Sequence, residues 1–166
     1  MTASSGAEGG LTAAEFSKLL AQVTHIPENR FHPFVWIHGE PEVGDGTYIG
    51  GFSEVNARGA RVVIGRGCDI ASFVSINCAD SHKRCIGLIS DNVRRHICIE
   101  DHVFIGSHSV VKGGAHIGHH SVVGAGTIVE PGFIPPYSLV AGNPMHVKAG
   151  YYRTKLLGSV DAGSAS

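Results

Sequence analysis

Proton transfer near neutral pH is the chemistry this chain is best equipped for, because it carries 11 histidines among 166 residues and imidazole titrates in that range. One of them stands apart. His82 lies in Asp80-Ser81-His82-Lys83-Arg84, within the polar and basic stretch NCADSHKRCIGLISDNVRRHIC. A histidine there could take the proton from a hydroxyl or amine as that group attacks a carbonyl. Asp80 or a nearby carbonyl could orient its ring, and sequence does not choose between them. His96, at the end of the same stretch, is the second candidate base. A lone loop histidine is ordinarily a solvated side chain, so His82 gains its weight from where it sits. Four cysteines stand at 68, 78, 85 and 98, with no CxxC pair and no zinc-ribbon spacing. Cys78 and Cys85 flank His82, so an acyl-cysteine intermediate is conceivable. No Ser–His–Asp order is evident.

The elements that must position His82 follow from a period of six. Aliphatic residues recur at Ile37, Val43, Ile49 and Val55, slip by three residues, and resume at Ile64, Ile70 and Ile76. A second series runs Ile99, Ile105, Val111, Ile117, Val123 and Val129. Glycine often follows the aliphatic residue, and a small residue such as Ser53, Ser109, Ser121 or Thr127 often sits four places on. Such a period is neither helical nor that of an alternating strand. It is the hexapeptide repeat of a parallel β-helix, in which three hexapeptides form one coil and the coils stack about 4.8 Å apart. Cys68 falls on an inward small-residue position and reads as a core thiol. His102 and His120 are one coil apart and should stack on one face, while His108 and His119 also take outward positions; all four read as lining of a groove or subunit interface. The register is lost between Ile76 and Ile99, so that segment must leave the prism as a loop, where binding and catalysis concentrate.

Before the repeat, Leu11 to about Val23 reads as a helix. Thr12 and Glu15 form a capping box, and Leu11 with Phe16 a hydrophobic staple; the helix should cover an end or flank of the prism. After Val129, Pro135 and Pro136 mark the end or a bend of the coil, and Gly142-Asn143-Pro144 a tight turn. The expected organisation is a disordered leader at 1–10, helix and connector at 11–34, β-helix at 35–150 with its loop at 77–98, and a tail at 151–166. Net charge is −1, which gives no nucleic-acid footprint. No apolar run approaches the ~20 residues of a membrane span. The N-terminus has neither the basic region nor the apolar core of a secretory signal, so reduced thiols and a cytoplasmic location are expected.

The repeat, the histidine-bearing loop and the closing string VGAGTIV…IPPYSLVAGNPMHVK together resemble the hexapeptide-repeat acyltransferases, most closely the xenobiotic, galactoside and sugar O- or N-acetyltransferase type. The likeness covers about residues 35–150. It implies an all-β, left-handed parallel β-helix and a homotrimer with active sites between prisms. It also implies acetyl-CoA as co-substrate, with a loop histidine, here His82, facing the thioester. Asparagines near that histidine in the xenobiotic type are replaced by Cys78-Ala79-Asp80-Ser81. The matching CoA positions are Gly106 and Ser107, Gly124 and Ala125, with Lys112, His146 and Lys148 for its phosphates. Phe104 stands where several relatives carry tryptophan. Glu54, Asn56, Asn77 and Asp80 are candidate acceptor-pocket residues.

The implied activity is acetyl transfer to an amino or hydroxyl group of a sugar, free or nucleotide-linked, as in surface-polysaccharide biosynthesis. Two alternatives stand beside it. One is a metalloenzyme like the γ-type carbonic anhydrases, whose β-helix holds zinc on three histidines; this chain has no His-x-x-x-x-His, its histidines at 116, 119 and 120 do not fit that geometry, and no metal is expected. The other is a non-catalytic assembly subunit, which would need no protruding loop.

Overall fold

The computed structural model describes residues 10–24 and 27–158. The expected leader, apart from Gly10, and residues 159–166 of the expected tail lie outside them. The period of six becomes a three-sided parallel β-helix. Its first face stacks strands Trp36–His38, Glu54–Asn56, Ser75–Asn77, Val110–Lys112 and Ile128–Val129. The second stacks Glu42–Val43, Val62–Ile64, Ile97–Ile99, Ala115–Ile117 and Gly132–Ile134. The third runs from Tyr48–Ile49 through Asp69–Ile70, Phe104–Ile105 and Val122–Val123 to Leu139–Ala141. This agrees with the left-handed β-helix that the resemblance implies.

The aliphatic series forms the core. Ile49, Val55, Ile70, Ile76, Ile99, Ile105, Val111, Ile117, Val123 and Val129 are fully buried, each directly above its counterpart in the next coil. Ile134 and Val140 extend the column past the sequence-read series. Cys68 is buried in it as expected.

The other two positions of the repeat have their own physical reasons. A Cβ on Gly106 would meet the Ala125 backbone nitrogen at 2.5 Å, so only glycine lets these coils approach. The small residues are hydroxyl stitches. Ser53 Oγ donates to the Ala71 carbonyl at 3.0 Å and accepts from the Val74 N–H at 3.1 Å. Thr47 bonds Gly65 and Cys68 in the same way. These hydroxyls satisfy corner backbone groups that the strand ladders leave over.

Rings line two corners. Phe34, Phe52, Phe73 and His108 stack at 4.9–5.1 Å between successive centroids. His102, His120 and Tyr137 stack at another corner, with His119 set edge-on to His120 and Tyr137. Phe52, Phe73, His102, His108, His120 and Tyr137 all take positive φ, a strained backbone for side-chain-bearing residues. Ring stacking offsets part of that strain.

Helix α1, Ala13–Thr24, carries the expected capping box: Glu15 N–H donates to Thr12 Oγ1, and Thr12 N–H donates to Glu15 Oε2. It lies beside the first coil, with the Phe16 ring edge-on to Phe34 at 5.2 Å. At the other end Pro135 and Pro136 do not stop the coil. They occupy a corner where no ladder donor is needed, and the strand Leu139–Ala141 follows. The chain then reverses, and His146–Lys148 pairs antiparallel with that strand, occupying its outer edge. Within the expected tail, Arg153–Leu157 is a short helix.

Two consequences can be measured. Ser53→Ala leaves the Ala71 carbonyl and Val74 N–H without their partner and should cost about 1–3 kcal/mol in urea denaturation. Burial first, then the neighbouring His102 and His119, hold the His120 imidazole below its ordinary value of 6.5, against an opposing pull from Asp101. Its folded pKa is therefore depressed, and the unfolded chain binds that proton first as pH falls. The associated stability is present above pH 6.5 and is lost as pH falls through the folded value. His120→Gln should thus lose less melting temperature between pH 7 and pH 5 than the wild type does; an equal or larger loss contradicts this assignment.

Candidate active site

The segment between Ile76 and Ile99 is more ordered than a simple loop. Ala79–Asp80 pairs antiparallel with Val93–Arg94 as a two-stranded ribbon, and α2, His82–Cys85, is one helical turn at its exposed end. The ribbon leaves at the edge between the first and second faces. The three-residue slip of the repeat lies at the same edge, one coil earlier, and forms its seat. The Arg94 side chain crosses Gly59, where a Cβ would meet Arg94 Cδ at 2.5 Å and where φ is +82°. His96 Nδ1 accepts the Arg61 backbone N–H at 2.8 Å.

His82 and Asp80 meet where the ribbon passes into α2. Asp80 Oδ1 accepts the His82 backbone N–H at 3.0 Å and lies 2.6 Å from His82 Nδ1. The backbone bond first, the ring bond second and Lys112 more remotely hold the Asp80 carboxyl below its ordinary range, so it is ionised at neutral pH. In the tautomer that donates Nδ1–H to that carboxylate, His82 Nε2 keeps its lone pair.

Both residues line a cavity of about 510 Å³ above the first face, within the range of small-molecule sites. Its floor includes Ser75, Asn77, Val110, Lys112 and Ile128, and Pro131 closes one side. Asn77 has a fixed orientation, because its Oδ1 accepts from both Asn56 Nδ2 and the Ala79 N–H. Its own NH₂ has no protein partner among the described residues. Lys112 Nζ is held at 2.7 Å from Glu130 Oε2.

The cavity thus gathers Asn77, Asp80, His82 and Lys112 of the expected residues. Glu54 lies outside it, one strand below Ser75, with Oε1 3.6 Å from His38 Nε2. Gly106 with Ser107, and Gly124 with Ala125, stack at the corner that enters the first face, whereas the ribbon leaves from its exit edge. His146 and Lys148 sit on the closing hairpin, away from the cavity. Cys78 borders the cavity, but its thiol is a poor candidate nucleophile: it is buried, its Sγ donates to the Arg58 carbonyl, and burial pushes its pKa up. Cys85 is exposed and does not line the cavity. His96, the second candidate base, is occupied at Arg61 outside it. Lys83, Arg95 and Glu130 also line the cavity, beyond the residues that the sequence points to. Glu130 was detectable, since it follows Lys112 by one coil; Arg95 had no such signal. Among the described residues no three His, Cys, Asp or Glu side chains converge as a metal site, and no helix is long and apolar enough to cross a membrane.

Residues 96–131 match the hexapeptide repeat of succinyl-transferase. No curated protein sequence matches significantly. Among solved structures, the N-acyltransferase AntD of Bacillus cereus, in complex with dTDP and 3-hydroxybutyryl-CoA, superposes with a TM-score of 0.65 at 18% identity, over 76% of this chain and 72% of that one. The polySia-specific acetyltransferase NeuO gives 0.57 at 28% identity, over 70% of this chain and 61% of its own. A galactoside acetyltransferase in complex with coenzyme A gives 0.51 at 29% identity, over 80% and 72%. The chain carries a hexapeptide repeat and is similar in fold to solved sugar N- and O-acyltransferases.

Asp80 is placed to act on His82 through charge and orientation. Asp80→Asn keeps an oxygen for the backbone N–H but removes the charge. Any activity that depends on His82 should then fall by roughly 10-fold or more in kcat; an unchanged kcat would mean that the pair is structural only.

Proposed function

We propose that the protein is an acyl-CoA-dependent acyltransferase that moves acetyl from acetyl-CoA to an amino or hydroxyl group of a sugar, free or nucleotide-linked. The observation that carries this reading is the Asp80–His82 pair on the wall of the first-face cavity. The neighbours point the same way: AntD is an N-acyltransferase bound to an acyl-CoA, and the galactoside enzyme binds coenzyme A.

The chemistry needs little from the chain. His82 Nε2 accepts the proton of the acceptor O–H or N–H as the acceptor attacks the thioester carbonyl carbon. The new C–O or C–N bond forms, the C–S bond breaks, and His82 returns the proton to the departing sulfur. Asp80 holds the ring and balances its transient positive charge, and Asn77 NH₂ is available to donate to the acceptor. Backbone N–H groups at the rim would stabilise the oxyanion. The Cys78 thiol, buried and directed to the Arg58 carbonyl, favours direct transfer over an acyl-cysteine.

Gly106, Ser107, Gly124 and Ala125 would offer close backbone approach to the pantetheine arm. They lie across the first face from His82, so one chain does not close a complete site around the thioester. A neighbouring subunit would supply the missing wall, and we propose a homotrimer. Of the expected phosphate ligands, His146 and Lys148 are open to solvent, whereas Lys112 must first leave Glu130. Participation in surface-polysaccharide or related biosynthesis in the cytoplasm, where acetyl-CoA is made, fits this chemistry.

Thiol release from acetyl-CoA, followed across nucleotide-linked amino sugars and simple glycosides, tests the reading. Turnover with an acceptor should fall by about 10² or more in His82→Ala. Turnover that survives that substitution removes His82 from the role of base. No release with any acceptor, and no acetyl-CoA binding, rejects the acyltransferase.

A further inference from the structure

The floor of the cavity continues beyond it. On a parallel β-helix face, residues in register form straight columns of like orientation. One outward column of the first face runs Trp36, Glu54, Ser75, Val110, Ile128. Its last three members line the cavity, and its first two do not. Glu54 and Trp36 are therefore the next two rungs outside the cavity mouth, roughly 5 and 10 Å from Ser75 at the strand spacing.

Both are dressed for a ligand. Trp36 is 42% exposed, although it is the largest apolar side chain in the protein, and it shares a small cleft with Ser17, Leu20 and Ala21 of α1. Glu54 is partly shielded, yet among the described residues it makes no hydrogen bond. Its nearest partner is His38 Nε2 at 3.6 Å, beyond hydrogen-bonding length. Both of its oxygens are thus available to hydroxyl or amino donors. A flat apolar ring beside a carboxylate that makes no hydrogen bond, and has only the loose His38 ion pair at 3.6 Å, matches one ligand chemistry well. A pyranose has an apolar C–H face to lie on the indole and equatorial hydroxyls to donate to the carboxylate.

We infer that Trp36 and Glu54 form a second sugar subsite, and that the acceptor is a glycan of at least two residues. The reacting residue lies over Ser75 and Asn77 against His82, and the next residue lies over Trp36 with its hydroxyls on Glu54. The inference rests on the acyltransferase reading and deepens it, naming acceptor length as the property this column selects.

Trp36 is the single tryptophan of the chain, so its emission reports the subsite directly. The experiment titrates matched pairs in the presence of CoA: galactose against lactose, glucosamine against its β-1,4 dimer, and sialic acid against its dimer. Thiol release from acetyl-CoA is followed in parallel for the wild type, Trp36→Ala and Trp36→Phe. The expected result is a shift or quench of emission by at least one disaccharide and not by its monosaccharide. The ratio of disaccharide to monosaccharide kcat/KM should fall roughly 10-fold in Trp36→Ala, through KM, and be largely restored in Trp36→Phe. Turnover of an acceptor with unchanged emission, and with the same ratio in Trp36→Ala, overturns the subsite and leaves the acyltransferase standing. Absence of turnover with every acceptor overturns both.

Discussion

Each coil of this protein is held by the coil beside it. The ladder hydrogen bonds of the three faces, the hydroxyl stitches from Thr47, Ser53 and Ser109, and the column of buried aliphatics all run between coils. One coil buries little apolar surface by itself, so its stability lies in stacking. This fixes the spacing along the axis and explains the glycine that follows so many of the aliphatic residues. It also fixes every outward side chain, since a residue on a face can only stand directly above or below its counterpart one coil away.

The candidate site depends on that rigidity. A short ribbon with an exposed one-turn helix is a weak platform alone. Here its root is tied to the prism through Cys78, whose thiol enters the core, and through Asn77, whose amide is shared with Asn56 and Ala79. Arg94 and His96 bind the ribbon to the enlarged corner at Gly59 and Arg61 one coil earlier. The two irregularities of the repeat are therefore one structural device, an enlarged corner that seats a ribbon, and the ribbon sets Asp80 and His82 over the floor of the first face.

This explains what sequence could and could not reveal. The coils, their core and the exit of the ribbon were readable because the period of six repeats and aliphatic side chains have only the prism interior to occupy. The capping box at Thr12 and Glu15 was readable because both partners are local. Asp80 and His82 were readable as candidates for the same reason, being two residues apart. The seat was not, because the contacts of Arg94 with Gly59 and of His96 with Arg61 join segments 35 residues apart that follow no repeat. Cys78 was misplaced as a possible nucleophile because its burial depends on how the chain turns after Asn77. Pro135 and Pro136 allowed either an end or a bend, and a missing ladder donor is harmless at a corner.

The same column logic separates the two edges of the first face in function. Residues above Asn77, namely Lys112 and Glu130, are charged and already paired with each other. Residues below Ser75, Glu54 and Trp36, lack hydrogen-bonding partners of their own. A hydrogen-bonded floor changes little when a ligand arrives, whereas a carboxylate that makes no hydrogen bond and has only His38 at 3.6 Å can gain hydrogen bonds from a ligand beside the exposed indole. Selectivity should therefore reside toward the N-terminal coils, and the chemistry at the ribbon. Because the coils are rigid, the distance between the two is set by the count of strands, which makes the length of the acceptor, rather than the identity of its reacting group, the property this fold is best built to measure.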